Sequence, residues 1–190
     1  MSALAAAFED VLAVLDRLEI VFLIGGSVAS GSHGLPRQTN DIDIVAAVSP
    51  TQAAEFCYAL QHAFHANAKT AADAVRSGRS FSVIHLKGAY KFEIFPAGDD
   101  PFVRSELARR RYTTGGGFGL VGIEFPVCSA EDTILAKLGW FRKGGEVSER
   151  QWHDILGVLQ VQAVWLDHGY LEEWAKHLGV SDLLASALAG

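Results

Sequence analysis

The sequence predicts an α/β (α+β) fold: a small mixed, mostly antiparallel sheet flanked by helices, closed by a C-terminal helical bundle. Two observations carry this. Up to about residue 128, short β-branched or alternating runs are interleaved with helix-periodic segments, and from Ser129 onward only helical patterns occur. A third makes burial feasible: 49% of the 190 residues are hydrophobic, 20% are charged and only 5 are proline, a balance that supports a packed core. The division expected is therefore residues 1–128 as an α/β domain and 129–190 as a helical region packed on it.

Leu4, Phe8, Val11, Leu12, Leu15 and Leu18 recur at helical spacing and predict an amphipathic helix over 3–18. Ile20 to Ile24 is a buried-strand pattern stopped by Gly25-Gly26, and Ser27 opens a short helix. Asp41 to Val45 alternates acid with isoleucine, the signature of a strand with one polar and one apolar face. Ser49-Pro50-Thr51-Gln52 combines an N-cap, a proline at the first helical position and a capping-box glutamine, so a helix should run to about Phe64. Thr70 to Asp73 repeats the capping pattern. Phe81 to Leu86 and Lys91 to Phe95 read as a hairpin, and Asp100-Pro101 starts a helix carrying Arg104, Arg109, Arg110 and Arg111. Leu120 to Val127 is a further strand. Ser129 to Asp132 and Ser148 to Gln151 open two helices, followed by weaker helical patterns over 168–178 and 181–189.

Sixteen Lys and Arg against 22 Asp and Glu give a net charge of −6, which excludes a basic footprint for duplex DNA. Cys57 and Cys128 lack CxxC spacing, which argues against zinc and against a disulfide scaffold and fits a reducing cytoplasm. No apolar stretch approaches 18 residues and no basic leader precedes Glu9 and Asp10, so no membrane partner is expected. Gly117 to Gly122 fits GxGxxG but leads into a strand rather than a helix, and the phosphate-loop pattern GxxxxGK[ST] is absent. The seven histidines share no ligand spacing. Trp140, Trp152, Trp165 and Trp174 are expected in the core of the helical region.

Chemistry concentrates on two strands. Asp41 and Asp43, two apart on a strand, project to one face. Carboxylates converging to about 5 Å repel by roughly 3 kcal/mol at an effective dielectric near 20, which favours a shared proton or a bound cation, and a hard divalent ion such as Mg²⁺ suits the oxygens. In Lys91-Phe92-Glu93-Ile94-Phe95 the same alternation turns Lys91 and Glu93 outward, adding a third acid. Alone, each piece reads as a solvated face, a blunted edge strand or a plain turn. Their order, an apolar strand, Gly-Gly-Ser, a gap, Asp-x-Asp and a later strand bearing one more acid, points to metal and phosphate together.

The run Val21-Phe22-Leu23-Ile24-Gly25-Gly26-Ser27, followed by Arg37-Gln38-Thr39-Asn40-Asp41-Ile42-Asp43-Ile44, resembles the signature of the DNA polymerase β-type nucleotidyltransferase superfamily. Its Arg-x-Thr-x-Asp-Ile-Asp form is similar to small bacterial members, including AbiEii-like toxins. Lys91-Phe92-Glu93, Asp132 to Lys137 and Trp152-His153-Asp154-Ile155 stand where later motifs would, so the likeness spans about residues 20–160. The resemblance implies Mg²⁺-dependent, or Mn²⁺-dependent, transfer of a nucleoside monophosphate from an NTP to an acceptor hydroxyl on RNA, protein or a small molecule. It implies Asp41, Asp43 and Glu93 as metal ligands and catalytic acids, and Gly25, Gly26, Ser27, Lys91, Lys137 and Asp154 as nucleotide-binding residues. Asp132 reads as a helix cap. An antitoxin protein is an implied partner. Glu93 stands where many relatives have Asp, and its extra methylene shifts the carboxylate by about one bond length. The alternative is a nucleotidyltransferase-like protein of weak or no activity that binds nucleotide or a partner protein.

Overall fold

A computed structural model describes residues 2–115 and 119–190. Among them the chain forms a seven-stranded mixed sheet of order β3-β4-β5-β2-β1-β7-β6, with helices on both faces. The elements are α1 (Ala3–Arg17), β1 (Val21–Ile24), α2 (Gly26–His33), β2 (Asp41–Ala47), α3 (Pro50–Leu60), β3 (Phe64–His65), α4 (Ala68–Arg76), β4 (Phe81–His85), β5 (Lys91–Pro96), α5 (Pro101–Arg109), β6 (Arg111–Gly115) and β7 (Leu120–Val127). Then come four helices: α6 (Ala130–Lys143), α7 (Glu149–Gln162), α8 (His168–Leu178) and α9 (Ser181–Leu188). β2 runs antiparallel to β1 and parallel to β5, and β1 runs parallel to β7; the remaining pairs are antiparallel.

Alternation along β2 and β5 sorts the two faces. Ile42, Ile44, Phe92 and Ile94 are buried on the face that α1 covers, where Phe8 meets Phe92 at 6.2 Å and Phe125 edge-on at 5.1 Å. A phenylalanine buried this completely contributes roughly 1.5–3 kcal/mol over an exposed one, so these positions lock the register. Asp41, Asp43 and Glu93 are thereby left on the other face. A second apolar cluster, built from Ile134 to Ala187 with Phe102 of α5, holds the last four helices together. Among the described residues, none of the helices is long and apolar enough to cross a membrane.

Helix starts follow their capping chemistry. Ser49 and Gln52 form the reciprocal box ahead of α3, with Gln52 N–H donating to Ser49 Oγ at 3.2 Å and Ser49 N–H to Gln52 Oε1 at 3.0 Å. Ser129 accepts from Asp132 N–H, but its hydroxyl also donates to the Asp132 carboxylate at 2.7 Å, so Asp132 supports the cap through its side chain.

Several boundaries differ from expectation. α3 stops at Leu60, and Phe64 instead begins the two-residue edge strand β3 against β4. α4 is capped by Asn67, whose Oδ1 accepts from Thr70 N–H at 2.9 Å, so it starts three residues before the Thr70 pattern. Arg110 is the C-cap of α5 and Arg111 opens β6, an unanticipated strand paired with β7, so the arginines do not share one helix. In the Gly117–Gly122 pattern, Gly117 and Phe118 lie outside the described residues. Both cysteines are free and buried.

Candidate active site

The sheet order places β2 between β1 and β5, and this brings the singled-out residues together. In the parallel β2–β5 register Asp41 lies opposite Lys91 and Asp43 opposite Glu93. β1 delivers the glycine turn: Gly25 N–H donates to Asp43 O at 2.8 Å. Gly26 has φ +56°, and a Cβ there would sit 1.8 Å from Asp43 Oδ2. Glycine is therefore required twice over, by the left-handed backbone and by the carboxylate against it. Gly25 is the N-cap of α2 and no side chain caps that end, so the first amides of α2 stay available beside the acids. Thr39 fixes the entry to β2, its Oγ1 accepting from Asp41 N–H at 3.2 Å and donating to Asp41 O at 3.0 Å.

The three acids differ in their partners. Asp43 is half-buried, and its carboxylate receives no hydrogen bond among the described residues; burial first, and then the neighbouring Glu93 charge, raises its pKa above the ordinary carboxylate value. Asp41 is exposed and, unlike Asp43 and Glu93, does not line the cleft between sheet and C-terminal helices. Glu93 is engaged on both oxygens, by Ser80 Oγ at 2.8 Å and Lys91 Nζ at 2.5 Å. That hydrogen bond raises the pKa of Lys91. The donor set of Asp41 and Asp43, hard oxygens without side-chain partners among the described residues, fits a divalent cation such as Mg²⁺. Glu93 as folded is held by Lys91, and among the described residues no group of three or more His, Cys, Asp or Glu converges as a metal cluster.

The opposite wall is cationic. Lys137 of α6 is only 7% exposed, buried rather than solvated, and its Nζ donates to Asp154 Oδ2 of α7 at 2.8 Å. Arg37 donates to both Asp154 oxygens, at 3.0 and 3.1 Å, and to Ser27 Oγ at 2.5 Å. Burial pushes the Asp154 carboxyl up, but hydrogen bonds from Arg37 and then Lys137 outweigh it, and the net pKa is lowered. The junction is tight because a Cβ on Gly34, just after α2, would lie 2.7–2.9 Å from the α7 backbone at Gly157 and Val158. Thus Ser27, Arg37, Asp154 and Lys137 form one chain of bonds from the glycine turn to the C-terminal helices. Both walls line one cleft of about 790 Å³, a size that suits a small-molecule ligand.

No family model matches the chain, and no curated relative does. Solved structures do. A nucleotidyltransferase-like protein from Paracoccidioides brasiliensis superposes with TM-score 0.56 at 16% identity, covering 100% of this chain and 94% of that one. The antibiotic-resistance factor ANT(2'')-Ia gives 0.54 at 14% identity, covering 97% and 92%. The lincosamide antibiotic adenylyltransferase LnuA, lincomycin-bound, gives 0.50 at 13% identity, covering 85% and 98%.

The chain has the nucleotidyltransferase fold. Within that fold, Gly25, Gly26, Ser27, Asp43, Glu93 and Lys137 all line the one cleft. Lys91 and Asp154 reach it indirectly, Lys91 through its bond to Glu93 and Asp154 through Arg37 and Lys137.

Sequence reasoning passed over four residues of this cleft. Arg37 stands in the motif, where the resemblance implies no role for it. Ser80 precedes β4 with no signal of its own. Trp140 is not core: it is 50% exposed, lines the cleft edge-on to Phe95 at 5.7 Å, and carries Lys143 Nζ 4.9 Å over its ring. Trp165 is likewise 80% exposed, whereas Trp152 and Trp174 pack on the second apolar cluster as expected. Trp140 follows its apolar neighbours in α6 at helical spacing, so nothing in the pattern separates it from them. The fourth, Glu106, is a buried acid on α5.

Proposed function

We propose that the protein is a nucleotidyltransferase that moves a nucleoside monophosphate from an NTP to a hydroxyl of a small molecule. The observation that carries the reading is the contact of Asp43 with the Gly25–Ser27 turn, which sets an unpartnered carboxylate against free helix amides. The acceptor class is supported by the cleft size and by a neighbour whose structure holds adenylyl-2''-tobramycin, the product of transfer to an antibiotic.

Asp41 and Asp43 are the residues that would hold Mg²⁺, or Mn²⁺ in its place. The ion's contribution, when bound, is Lewis-acid polarisation of the phosphates. The amides of Gly26 and Ser27 receive phosphate oxygens at the start of α2, and Arg37 and Lys137 supply positive charge from the facing wall. Lys91 moves from Glu93 to a phosphate oxygen, which frees Glu93 to take the proton of the acceptor hydroxyl. The acceptor oxygen then bonds to the α-phosphorus, the bond from that phosphorus to the bridging oxygen breaks, and pyrophosphate leaves with the electron pair.

Purified protein with labelled NTPs, Mg²⁺ and a small-molecule extract tests this. Asp43→Ala should lower transfer by at least about 10³-fold; equal transfer by both proteins overturns the reading. The Lys91–Glu93 pair favours one second reading, a protein that binds nucleotide without transferring it. Mg²⁺-dependent nucleotide binding with no labelled product in either protein selects that one.

A further inference from the structure

α5 reads Pro-Phe-Val-Arg-Ser-Glu-Leu-Ala-Arg, and its first buried residue, Phe102, is followed one turn later by Glu106. An acid thus occupies a core position of an amphipathic helix. Glu106 is 4% exposed, yet no side-chain hydrogen bond or ion pair reaches it among the described residues. It lines the cleft together with Phe102, Val103, Cys128 and Thr133.

Asp132, its buried neighbour, shows what satisfaction looks like here. Asp132 is 0% exposed and takes bonds from Ser129 Oγ at 2.7 Å and Tyr170 Oη at 2.6 Å, with Arg109 Nε 3.5 Å away. Arg109, the cation of this arm, is turned to Glu131 at 3.1 Å and to the Tyr170 ring 3.8 Å beneath its guanidinium, with its Nε 3.5 Å from Asp132 and not hydrogen-bonded. Asp100 is occupied capping α5. Cys128 supplies no charge, since its thiol shares a hydrogen bond with Thr133 Oγ1 at 3.0 Å and burial pushes its pKa up. The arm is therefore acidic, and its most buried free group lacks a partner. Burial, then Asp132 and Asp100, hold the Glu106 carboxyl well above its ordinary range, as befits a carboxyl without a countercharge.

We infer that this arm is the acceptor subsite for an amine: the hydroxyl-bearing substrate places an ammonium group against Glu106 while its hydroxyl faces Asp43 and Glu93. The inference rests on the nucleotidyl-transfer reading for the identity of the ligand as acceptor, but not for its chemistry. An anion beside Glu106 would be repelled by Asp100 on the cleft wall and by the buried charge of Asp132 behind it. A neutral hydroxyl would satisfy the hydrogen bond without balancing the acids. An ammonium does both.

Glucosamine and glucose differ by one amine and serve as probes. Binding to the full chain is measured by NMR without nucleotide, so the outcome is independent of whether transfer occurs. Glucosamine should bind at least about tenfold more tightly than glucose, and Glu106→Gln should bring it down to the glucose level with Mg²⁺-ATP affinity unchanged within about twofold. Glutamine matches the shape and forfeits no existing bond, so the variant should fold. The wild-type comparison decides the matter even if it does not. Binding of the two sugars that is indistinguishable, including undetectable for both, or unaffected by Glu106→Gln, overturns the inference.

Discussion

Asp43 on the floor of the cleft and Asp154 behind its cationic wall are the same residue type in opposite electrostatic states. The Asp154 carboxylate takes three hydrogen bonds from Arg37 and Lys137, and its pKa is lowered; the Asp43 carboxylate takes none among the described residues, faces Glu93, and its pKa is raised. The first has both carboxylate oxygens bonded to cations, and those bonds join the C-terminal helices to the sheet. The second is open, and open charge at a half-buried position destabilises the fold unless a ligand completes it. The difference separates a latch from a site without reference to any relative.

The latch gives the largest expected effect on stability. Asp154→Ala leaves Lys137 buried and Arg37 half-buried without their acceptor, which should cost about 3 kcal/mol, or about 6–12 °C in Tm for a chain of this size. Asp154→Asn keeps an acceptor and should lose clearly less. Urea unfolding of the three proteins checks this. A loss under about 1 kcal/mol for Asp154→Ala would show a solvated pair and collapse the contrast with Asp43.

Legibility in the sequence divides along similar lines. The Asp41-Ile42-Asp43 alternation, the Gly25-Gly26 stop and the Ser49–Gln52 box are local signals, and each is where its pattern puts it, because a two-residue period or a three-residue cap needs no distant partner. β3 is two residues long and β6 is mostly polar, so neither carries a periodicity to read; they exist because β4 and β7 offer edges. Arg37 and Asp154 are 117 residues apart, and it is the packing of the end of α2 on α7, at Gly34 and through the Gln162 bond to His33 O, that makes them partners. Glu106 had a faint local signal, an acid one turn from Phe102 on the apolar face, but composition alone makes such an acid look solvated.

The next effect sharpens the site itself. Gly26 and Gly78 both have left-handed backbones, φ +56° and +64°, so alanine at either costs about 1–2 kcal/mol in conformation. At Gly78 nothing lies within 4 Å of the new Cβ, whereas at Gly26 it collides with Asp43. Gly26→Ala should therefore be about 1 kcal/mol more destabilising than Gly78→Ala. The excess should shrink when Asp43 is also alanine, which removes the carboxylate oxygen at 1.8 Å but keeps its own Cβ 2.9 Å from the new one. Equal costs at the two glycines would mean that the turn and the carboxylate are not in contact.

The smallest effect is the most direct reading of the opposed charges, a pair of thermal scans in chelator across pH. Because the folded state holds the Asp43 proton more tightly than the unfolded chain, ionising it weakens the fold as pH rises through the raised value. Asp43→Asn should accordingly match wild type near pH 3 and exceed it by about 2–4 °C at pH 7. Asp154 has the reverse sign: its lowered pKa stabilises the fold above the ordinary carboxylate range, and that contribution fades as pH falls through the lowered value. The deficit of Asp154→Asn should thus be full at pH 7 and shrink toward pH 2. Two aspartate-to-asparagine changes in one cleft would then move Tm in opposite directions at neutral pH and converge on wild type in acid. Parallel curves would mean that the two carboxylates share one environment.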